Sequence, residues 1–481
     1  MNFAIVRYLI GWMLGIESIF LLLPALTAVI YGEAELPAYL IAAAISLAGA
    51  ALLCHRKPKN TRFYAREGYV TVALCWLVLA VIGALPFVLS REIPFFIDAL
   101  FETVSGFTTT GATILGDVEA LSHASMLWRC LTHWVGGMGV LVFMLIVLPL
   151  AGGQTIFLMR AESPGPSVSK MSPHMRDTAT ILYAIYFGLT VLQMILLLIG
   201  GMPFFDAICV SLGTAGTGGF GNWNDSIAHY NSAYLQNVIT VFMILFGINF
   251  SAYFLILTRK FRQAFRIEEI RVYLGVIFVF AGLIAFNVRP MFGSLRESFH
   301  HALFQVASII TTTGFSTVDF DQWPTFSRAL LVLLMFIGAC AGSTGGGIKC
   351  SRILLLGKSV KKEMMCLIHP RLVRVNKMDG QRVPHEVMRS INVFVVAYAF
   401  IFILSLLIIS LNCEDLVTCF TSVATTLNNV GPGLSLCGPT CNFGFFPPLS
   451  KCVLIFDMLA GRLELFPMLL LFTPGTWQRN K

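Results

Sequence analysis

A short glycine-centred loop occurs four times along this chain, each time between two apolar runs that are long enough to cross a lipid bilayer. Each loop follows an apolar stretch of about three helical turns, such as residues 95–101, which is too short to span a bilayer and fits a re-entrant helix. Irregular backbone is tolerated at membrane depth only where protein or water surrounds it, so we expect the loops to face one shared axis. The loops are Thr109-Thr110-Gly111-Ala112, Thr217-Gly218-Gly219-Phe220, Thr312-Thr313-Gly314-Phe315 and Asn429-Val430-Gly431-Pro432.

Composition places the chain in a membrane. Of its 481 residues 57% are hydrophobic and only 12% are charged, whereas a soluble domain carries about 25% charged residues. A spanning helix needs roughly 20 apolar residues. We interpret the first run as a retained span because it lacks a small-residue cleavage site. The predicted spans are residues 5–30, 38–54, 69–90, 126–152, 178–201, 234–258, 272–288, 328–357, 389–411 and 449–473.

The basic residues predict how these spans are oriented. They cluster in the connections between spans, while the glycine loops carry few of them. The positive-inside rule then places the basic connections in the cytoplasm and the glycine loops outside, and ten spans leave both termini cytoplasmic. The net charge of +8 therefore reflects topology and does not indicate nucleic-acid binding. The clusters are Arg56, Lys57, Lys59, Arg62 and Arg66; Arg160, Lys170 and Arg176; Arg259, Lys260, Arg262, Arg266 and Arg271; and Lys358, Lys361, Lys362, Arg371, Arg374, Lys377, Arg382 and Arg389.

The residue types in the loops suit a cation that has lost its water. Glycine adopts the backbone angles that turn successive carbonyls to one side. Threonine hydroxyls add oxygen atoms, and a short helix pointing its C-terminus at the axis adds partial negative charge. One such loop could equally be a connector, but four copies in phase with the spans predict a potassium-type selectivity filter. Its predicted residues are Thr109, Thr110, Gly111, Thr217, Gly218, Gly219, Thr312, Thr313, Gly314, Asn429, Val430 and Gly431. The fourth loop lacks the threonines, which leaves its coordinating atoms open.

These loops resemble those of the Trk/Ktr/HKT superfamily of potassium transporters, and the chain is most similar to the membrane subunit of the bacterial Trk system. Further motifs carry the resemblance nearly end to end: Trp134-Val135-Gly136-Gly137-Met138-Gly139, the glycine-rich segment 338–349 and Gly461-Arg462-Leu463-Glu464. The resemblance implies an all-α polytopic membrane protein with two N-terminal helices in residues 1–66. Four pseudo-repeats of helix, pore loop and helix around a central pore follow in residues 67–160, 161–265, 266–385, where the inner helix is broken, and 386–481.

The resemblance also implies a function and partners. We expect potassium uptake across the bacterial inner membrane, with K⁺ as the transported ion and no organic cofactor on this chain. A homodimer and a cytosolic nucleotide-binding regulatory ring (TrkA-like) are the implied partners, besides the lipid bilayer. In the plant branch of the family, serine at the first filter glycine accompanies sodium transport, so the intact Gly111 favours potassium.

Residues 339–349 interrupt what should be the longest span. Each glycine costs a helix about 1 kcal/mol relative to alanine, so we expect the helix to break in mid-membrane and form a gating loop, as in the resembled family. The alternatives are close helix packing through small residues and a phosphate-binding loop, in which Ile348 takes the place of the required lysine. The predicted gating residues are Ala341, Gly342, Ser343, Thr344, Gly345, Gly346, Gly347, Lys349 and Arg462.

Two basic residues lie in the last apolar run. A lone arginine at mid-membrane costs at least about 2.5–3.5 kcal/mol, and Glu464 is a poor partner for Arg462 because residues i and i+2 face different sides of a helix. We therefore expect Arg462 to face the pore and repel cations when the gate is shut; a structural ion pair with another repeat is the alternative. Lys451 is expected to snorkel to the outer interface.

Other polar residues carry weaker signals. Asp98 and Asp206 each precede a filter glycine by thirteen positions and are expected to cap the short helices, or else to make the pore mouth negative. The twelve cysteines show no paired zinc spacing. Cys413, Cys437 and Cys441 fall on the outer side, where two of them could pair, although the sequence does not say which.

The alternative function is a Na⁺- or H⁺-coupled secondary transporter of another solute. Such folds bind their substrates at broken helices in mid-membrane, and the segment 342–347 supplies one break. They usually break two corresponding helices, and the sequence shows one break beside four filter-like loops. The histidines form no ligand cluster, and no nucleophile lies beside a base, so we predict a passive or weakly coupled potassium pathway and not an enzyme.

Overall fold

The structure is a computed structural model that describes residues 1–58, 64–139, 175–371 and 375–478. It consists of helices and one two-stranded antiparallel hairpin, which confirms the predicted all-α class. The helices are α1 Phe3–Tyr31, α2 Leu36–Cys54, α3 Ala65–Ser90, α4 Phe96–Phe107, α5 His123–Gly137, α6 Met175–Ile199, α7 Phe204–Gly216, α8 Ala233–Phe246, α9 Phe250–Leu257, α10 Phe261–Ala264, α11 Glu268–Val288, α12 Leu295–Ile310, α13 Thr325–Ile337, α14 Cys350–Ile368, α15 His385–Ser410, α16 Leu416–Leu427, α17 Pro448–Arg462 and α18 Phe466–Leu471; the strands are β1 Lys377–Met378 and β2 Gln381–Arg382.

Several helices are long and apolar enough to cross a membrane. In the described part of the chain these are α1, α2, α3, α6, α11 and α15, and α8 with α9 forms a seventh candidate that bends by 93°. Their outward faces are apolar: Val396 and Phe400 of α15 are 71% and 67% exposed. Such a face is stable against lipid and costly in water, so the polytopic membrane architecture is confirmed.

The helical hairpin of α1 and α2 braces the start of α5. Gly32 ends α1 in the left-handed conformation, with φ of 68°, which glycine adopts without strain. In the same turn, the Glu33 carboxylate accepts hydrogen bonds from the backbone N–H groups of His123 (2.7 Å) and Ala124 (3.0 Å). These donors lack partners inside the helix, so the contact fixes the hairpin against the first unit of the ring described next.

Four units follow, each with an outer helix, a short helix, a glycine loop and an inner segment. The outer helices are α3, α6, α11 and α15, and the short helices α4, α7, α12 and α16 have 12 to 16 residues. The predicted repeat boundaries remain predictions. The boundary at residue 160 lies outside the described residues, as do the second half of the predicted span 126–152 and the basic residues Lys59, Arg62, Arg160, Lys170 and Arg374.

The inner segments depart from the predicted spans in two units. The break between α13 and α14 was predicted from its glycines. The continuous span predicted for residues 234–258 is wrong, since α8 ends at Phe246 and α9 begins at Phe250. The span predicted for residues 449–473 is also divided, with positive φ at Glu464 and Leu465 between α17 and α18.

The backbone groups freed by the bend between α8 and α9 find partners in the third unit. The Cys340 N–H donates to the Gly247 carbonyl (3.1 Å), and the Phe250 N–H donates to the Gly342 carbonyl (3.0 Å). Buried backbone groups must be paired, so these long-range bonds are what makes the bend stable.

The fourth unit packs against the first and closes the ring. The largest hydrophobic cluster combines side chains of α1 to α5 with side chains of α15 to α18, among them Phe101 and Leu454. Lys451 of α17 is 6% exposed, and its Nζ lies 2.6 Å from Oδ1 of Asp98 in α4. The expected snorkelling of Lys451 is therefore wrong, because Asp98 offers it a carboxylate inside the ring.

Candidate functional site

Each short helix ends in the same backbone motif before its glycine. In the first unit Thr109 N–H donates to Gly106 O (3.1 Å) and Thr110 N–H to Ser105 O (2.9 Å), and bonds of 2.8–3.2 Å repeat this pair in the other three. This is a Schellman motif, whose left-handed position normally holds glycine. Here that position, with φ of 54° to 58°, holds Thr109, Thr217, Thr312 and Asn429. A side chain there costs roughly 1–2 kcal/mol, so the surrounding structure imposes the loop geometry.

The four glycines share a second unusual conformation. Their φ angles lie between 80° and 98°, while the residue before each glycine keeps a negative φ. The sign of φ thus alternates over three residues, which lets successive carbonyls face the same side of the chain. The glycines are Gly111, Gly219, Gly314 and Gly431.

The loops form a closed ring around one axis. Each glycine lies against the carbonyl oxygen of the residue that precedes the glycine of the next unit, and the fourth unit returns to the first. A β-carbon on any of the four glycines would lie at most 2.6 Å from that oxygen. The contacts are Gly111 with Gly218, Gly219 with Thr313, Gly314 with Val430, and Gly431 with Thr110. The twelve predicted filter residues are therefore brought together.

A cavity of about 120 Å³ adjoins this ring, and all four glycines line it. The rest of its wall is built mainly from residues that follow the glycines, including Ala112, Phe220, Ser316 and Pro432. This cavity is the vestibule on the side of the ring away from the short helices.

On the helix side of the ring, several buried oxygen atoms have no hydrogen-bond partner among the described residues. Thr109 Oγ1 and Asn429 Oδ1 are two of them, and both residues are fully buried. The Asn429 amide nitrogen donates to Thr110 Oγ1 (3.0 Å) and Met458 O (2.9 Å), which leaves Oδ1 free. An unsatisfied buried acceptor costs about 1–3 kcal/mol, so these two oxygens are candidate ligands for a cation that has lost its water.

A buried ion pair that the sequence analysis did not single out supports the first loop. The Glu102 and Arg129 side chains lie 2.8 Å apart and are at most 2% exposed. Glu102 also accepts from the Thr113 hydroxyl (3.0 Å) just after the loop, and the Arg129 guanidinium lies 4.1 Å from the Phe220 ring of the second loop. The pair connects two loops, and its sequence signal was a charge inside each of two apolar stretches.

His133 of α5 packs behind the same two loops. One ring nitrogen, Nδ1, hydrogen-bonds to Gly106 O (2.7 Å), and the ring stacks on Phe220 with centroids 4.1 Å apart. A β-carbon on Gly216 or Gly218 would collide with this histidine. Gly218 is therefore required for close packing, although its φ is not positive.

The acidic residues at the first two short helices do not cap them. Asp98 and Asp206 lie in the first turn, after the N-cap residues Phe95 and Pro203, so the predicted capping role is wrong. Asp98 pairs with Lys451. Asp206 instead binds the segment after the second loop, accepting from Asn222 Nδ2 (2.6 Å), Tyr230 OH (2.6 Å) and Trp223 Nε1 (3.3 Å).

The segment 338–349, called here the intramembrane loop, contacts three units. The Gly346 N–H donates to Thr312 Oγ1 (2.6 Å), and the Gly347 N–H donates to Asn428 O (3.0 Å). The Thr344 hydroxyl donates to Phe246 O at the end of α8 (3.2 Å). The predicted gating segment therefore lies directly beside the third and fourth glycine loops.

Arg462 joins this loop to the opposite wall of the ring. Its guanidinium donates to Thr344 O (2.7 Å) and to Gly137 O at the end of α5 (2.9 Å). Glu464 pairs with Arg352 of α14, which agrees with the expectation that it is a poor partner for Arg462. Lys349 donates to Gly345 O within the loop.

The described residues contain no other candidate centre of metal chemistry. No group of three or more His, Cys, Asp or Glu side chains among them could hold a metal ion. In the described part of the chain none of the twelve cysteines, Cys413, Cys437 and Cys441 included, forms a disulfide.

Comparisons with known proteins agree with this geometry. Residues 37–478 match the family model TrkH, described as a cation transport protein. The chain is 38% identical to the Trk system potassium uptake protein TrkH of Salmonella typhimurium and 35% identical to that of Vibrio parahaemolyticus, in both cases over 99% of this chain and 100% of the relative. It also matches the crystal structure of the potassium transporter TrkH from Vibrio parahaemolyticus with a TM-score of 0.89 and 33% identity, over 99% of this chain and 100% of that one. The chain therefore belongs to the TrkH family of cation transport proteins.

Proposed function

We propose that this protein takes up potassium ions along the axis enclosed by the four glycine loops. The observation that carries the proposal is the closed ring in which each glycine lies against a carbonyl of the next unit. Four carbonyl-bearing loops around one axis are what a potassium pore uses to replace the ion's water. The names of the relatives, which are potassium uptake proteins, support potassium as the ion.

Uptake of this kind needs no coupling ion. A membrane potential of 100 mV is worth about 2.3 kcal/mol per charge, which supports roughly fifty-fold accumulation at about 1.4 kcal/mol per tenfold. The four short helices end at the ring and add partial negative charge there. Asn429 and Val430 make the fourth wall unlike the others, so we expect Rb⁺ to be accepted and Na⁺ to be only partly excluded.

The intramembrane loop and Arg462 are the proposed gate. The bonds from Gly346 to Thr312 and from Gly347 to Asn428 hold the loop against the filter, and the Arg462 guanidinium adds a positive charge between opposite walls. Opening then requires the loop to release these bonds and Arg462 to leave the Thr344 carbonyl.

Membership of the family supports a proposal for the location and the partners. We propose an inner-membrane protein with both termini in the cytoplasm, assembled as a homodimer and regulated by a cytosolic nucleotide-binding ring of the TrkA type. The basic hairpin β1–β2, between the third and fourth units, is on the cytoplasmic side in this topology.

A coupled secondary transporter is the second candidate, and the bend between α8 and α9 favours it by adding another broken span. The broken ends here are occupied by protein: the intramembrane loop pairs with Gly247 and Phe250, and the Asn249 side chain accepts from the Ser251 N–H (2.8 Å). A substrate site in such folds needs exposed helix ends around a cavity, so the pore is the better supported function.

The deciding experiment is ⁸⁶Rb⁺ uptake into liposomes that contain the purified protein, driven only by a K⁺ gradient. Wild type is compared with Gly314→Ser, whose β-carbon would lie 2.5 Å from Val430 O. Gly282→Ala is the matched control, because nothing lies within 4 Å of its β-carbon. We expect uptake without Na⁺ or a pH gradient, block by excess K⁺, and loss of selectivity in Gly314→Ser alone. Uptake that needs a coupling ion, with Gly314→Ser behaving as wild type, would contradict the pore.

A further inference from the structure

Glu269 is a buried carboxylate at the neck of the intramembrane loop, which is the place where residues 336–341 and 348–351 come together. It lies in the first turn of α11 and is 3% exposed. Its Oε1 accepts hydrogen bonds from the backbone N–H groups of Ala341 (2.7 Å) and Ser351 (3.0 Å). These residues lie at the two ends of the loop, so a single oxygen atom holds both ends.

The two ends of the loop also bind each other at this point. The Cys350 N–H donates to Ala339 O (3.0 Å), and the Ile348 N–H donates to Phe336 O (3.3 Å). The chain thus leaves and returns at one place, as in an Ω-loop. Ser351 belongs to the first turn of α14, whose N–H groups have no partner inside the helix and favour a negative charge. Glu269 therefore satisfies donors that the helix break exposes.

The preceding residue, Glu268, contacts a different part of the protein. Its carboxylate pairs with Lys358 of α14, and its backbone N–H donates to Asp379 Oδ1 in the turn of the β1–β2 hairpin (2.7 Å). Lys358 in turn donates to Lys377 O of that hairpin (2.8 Å). Glu268 is thus a matched acidic neighbour whose bonds are to α14 and the hairpin.

We propose that Glu269 is a positioning residue that holds the neck of the intramembrane loop and thereby keeps the loop folded across the ion pathway. The inference rests on the proposed function in treating this loop as the gate. Alanine at position 269 leaves two N–H groups of the neck unpaired, so the neck opens more often. Glutamine keeps an oxygen that can accept both bonds and holds the neck closed.

Two native cysteines report directly on the neck. Cys340 and Cys350 are 0% and 1% exposed, so a charged maleimide reagent reaches them only when the neck opens. The full-length protein in lipid vesicles is treated with this reagent, and mass spectrometry locates the label. Glu269→Ala is expected to raise the modification rate of both cysteines about tenfold or more, because local opening controls access. Glu269→Gln and Glu268→Ala are expected to react as wild type does.

Buried cysteines elsewhere reveal global unfolding. Cys75 and Cys130 are both 0% exposed and stay unlabelled while the protein is folded. Unchanged labelling of Cys340 and Cys350 in a folded Glu269→Ala protein overturns the proposal. If that variant unfolds, Glu269→Asp decides instead: its carboxylate is one methylene shorter, so increased neck labelling supports the anchor and wild-type labelling overturns it.

Uptake of ⁸⁶Rb⁺ by the same vesicles separates this inference from the proposed function. Increased labelling together with increased uptake supports both the anchor and the gate. Increased labelling without increased uptake supports the anchor and contradicts the gating role of the loop. Normal uptake by wild type with unchanged labelling in the variants leaves the potassium pathway standing and overturns the role of Glu269.

Discussion

The glycine ring is built from four similar units, whereas the layer of inner segments beside it is irregular. In the ring, all four units repeat the Schellman motif, the positive φ of the glycine and its contact with the next unit. In the next layer the inner segments of the second, third and fourth units, which the structure describes throughout, all differ: α8 bends into α9, a loop separates α13 from α14, and α17 ends at Arg462. A spherical ion on an axis is best surrounded by equivalent walls, whereas the proposed gate consists of one loop and one charge.

The largest expected effect tests whether the ring is functionally fourfold. Alanine at Gly111, Gly219, Gly314 or Gly431 places a β-carbon within 2.6 Å of a backbone oxygen of the next unit, so the backbone must shift. Overpacking of this kind costs about 3 kcal/mol, which is about a hundredfold in rate. Each of the four variants is expected to lose potassium-selective ⁸⁶Rb⁺ uptake to this extent, beside an unaffected Gly282→Ala. Wild-type uptake by any one of them would show that its unit is not part of the filter.

The second-largest expected effect concerns Arg462, which lies in the inner segment of the fourth unit alone. Arg462→Gln removes the positive charge between Thr344 and Gly137. For scale, two unit charges roughly 10 Å apart interact by between about 1 and 2 kcal/mol at an effective dielectric of about 20. Uptake without a regulatory partner should therefore rise about tenfold. Arg328→Gln, which removes a partly exposed guanidinium 3.4 Å from Asp321, is the control. Equal uptake by both variants would show that Arg462 is not part of the gate.

A smaller effect should separate two threonines that occupy the same position in the ring. Thr312 Oγ1 accepts from Gly346 of the intramembrane loop (2.6 Å), whereas Thr217 Oγ1 donates to its neighbour Gly216 O (2.6 Å). Losing one such bond is worth about 1 kcal/mol, so Thr312→Ala should raise basal ⁸⁶Rb⁺ uptake about fivefold. Thr312→Ser keeps the hydroxyl and should behave as wild type, and Thr217→Ala should not raise basal uptake. An equal rise in both alanine variants would refute a loop-specific role for Thr312.

The ring could be predicted from the sequence because its causes are local. The glycines, the preceding threonines and the short apolar stretches lie within about a dozen residues of each other, and the bilayer fixes what such stretches can do. The break near Gly345 was predictable for the same reason, since several glycines in succession weaken a helix.

What the sequence missed depends on distant partners. The bend at Gly247 is stabilised by Cys340 and Gly342, and the partner of Lys451 is Asp98, 353 residues away. Glu269 likewise accepts hydrogen bonds from N–H groups 72 and 82 residues further along, which lack helical partners because the helix breaks there. No pattern within one segment reveals such pairs, so the apolar run 234–258 was predicted to be a continuous span and Lys451 to snorkel.

The smallest expected effect concerns the outer ends of the short helices, where the units again differ. Asp415 caps α16 by accepting from the Val417 and Thr418 N–H groups at 3.2 and 3.0 Å, whereas α4 and α7 lack a side-chain cap. Replacing a cap with alanine costs about 1 kcal/mol, so Asp415→Ala should lower the melting temperature in detergent slightly and leave selectivity unchanged. Asp415→Asn keeps an oxygen that can cap the helix and should lose less stability at pH 7 than Asp415→Ala.

Acid should affect the stability of wild type and of Asp415→Asn differently. The hydroxyl of Thr418, followed by that of Ser435, lowers the pKa of Asp415 to about 2, below an unfolded value of about 4. A carboxylate with a lowered pKa contributes stability that is complete above the unfolded value and is lost as the pH falls toward the folded one. Between about pH 4 and pH 2 wild type should therefore lose stability that Asp415→Asn, which does not titrate, retains. Parallel loss in both proteins would mean that a carboxylate other than Asp415 governs acid stability.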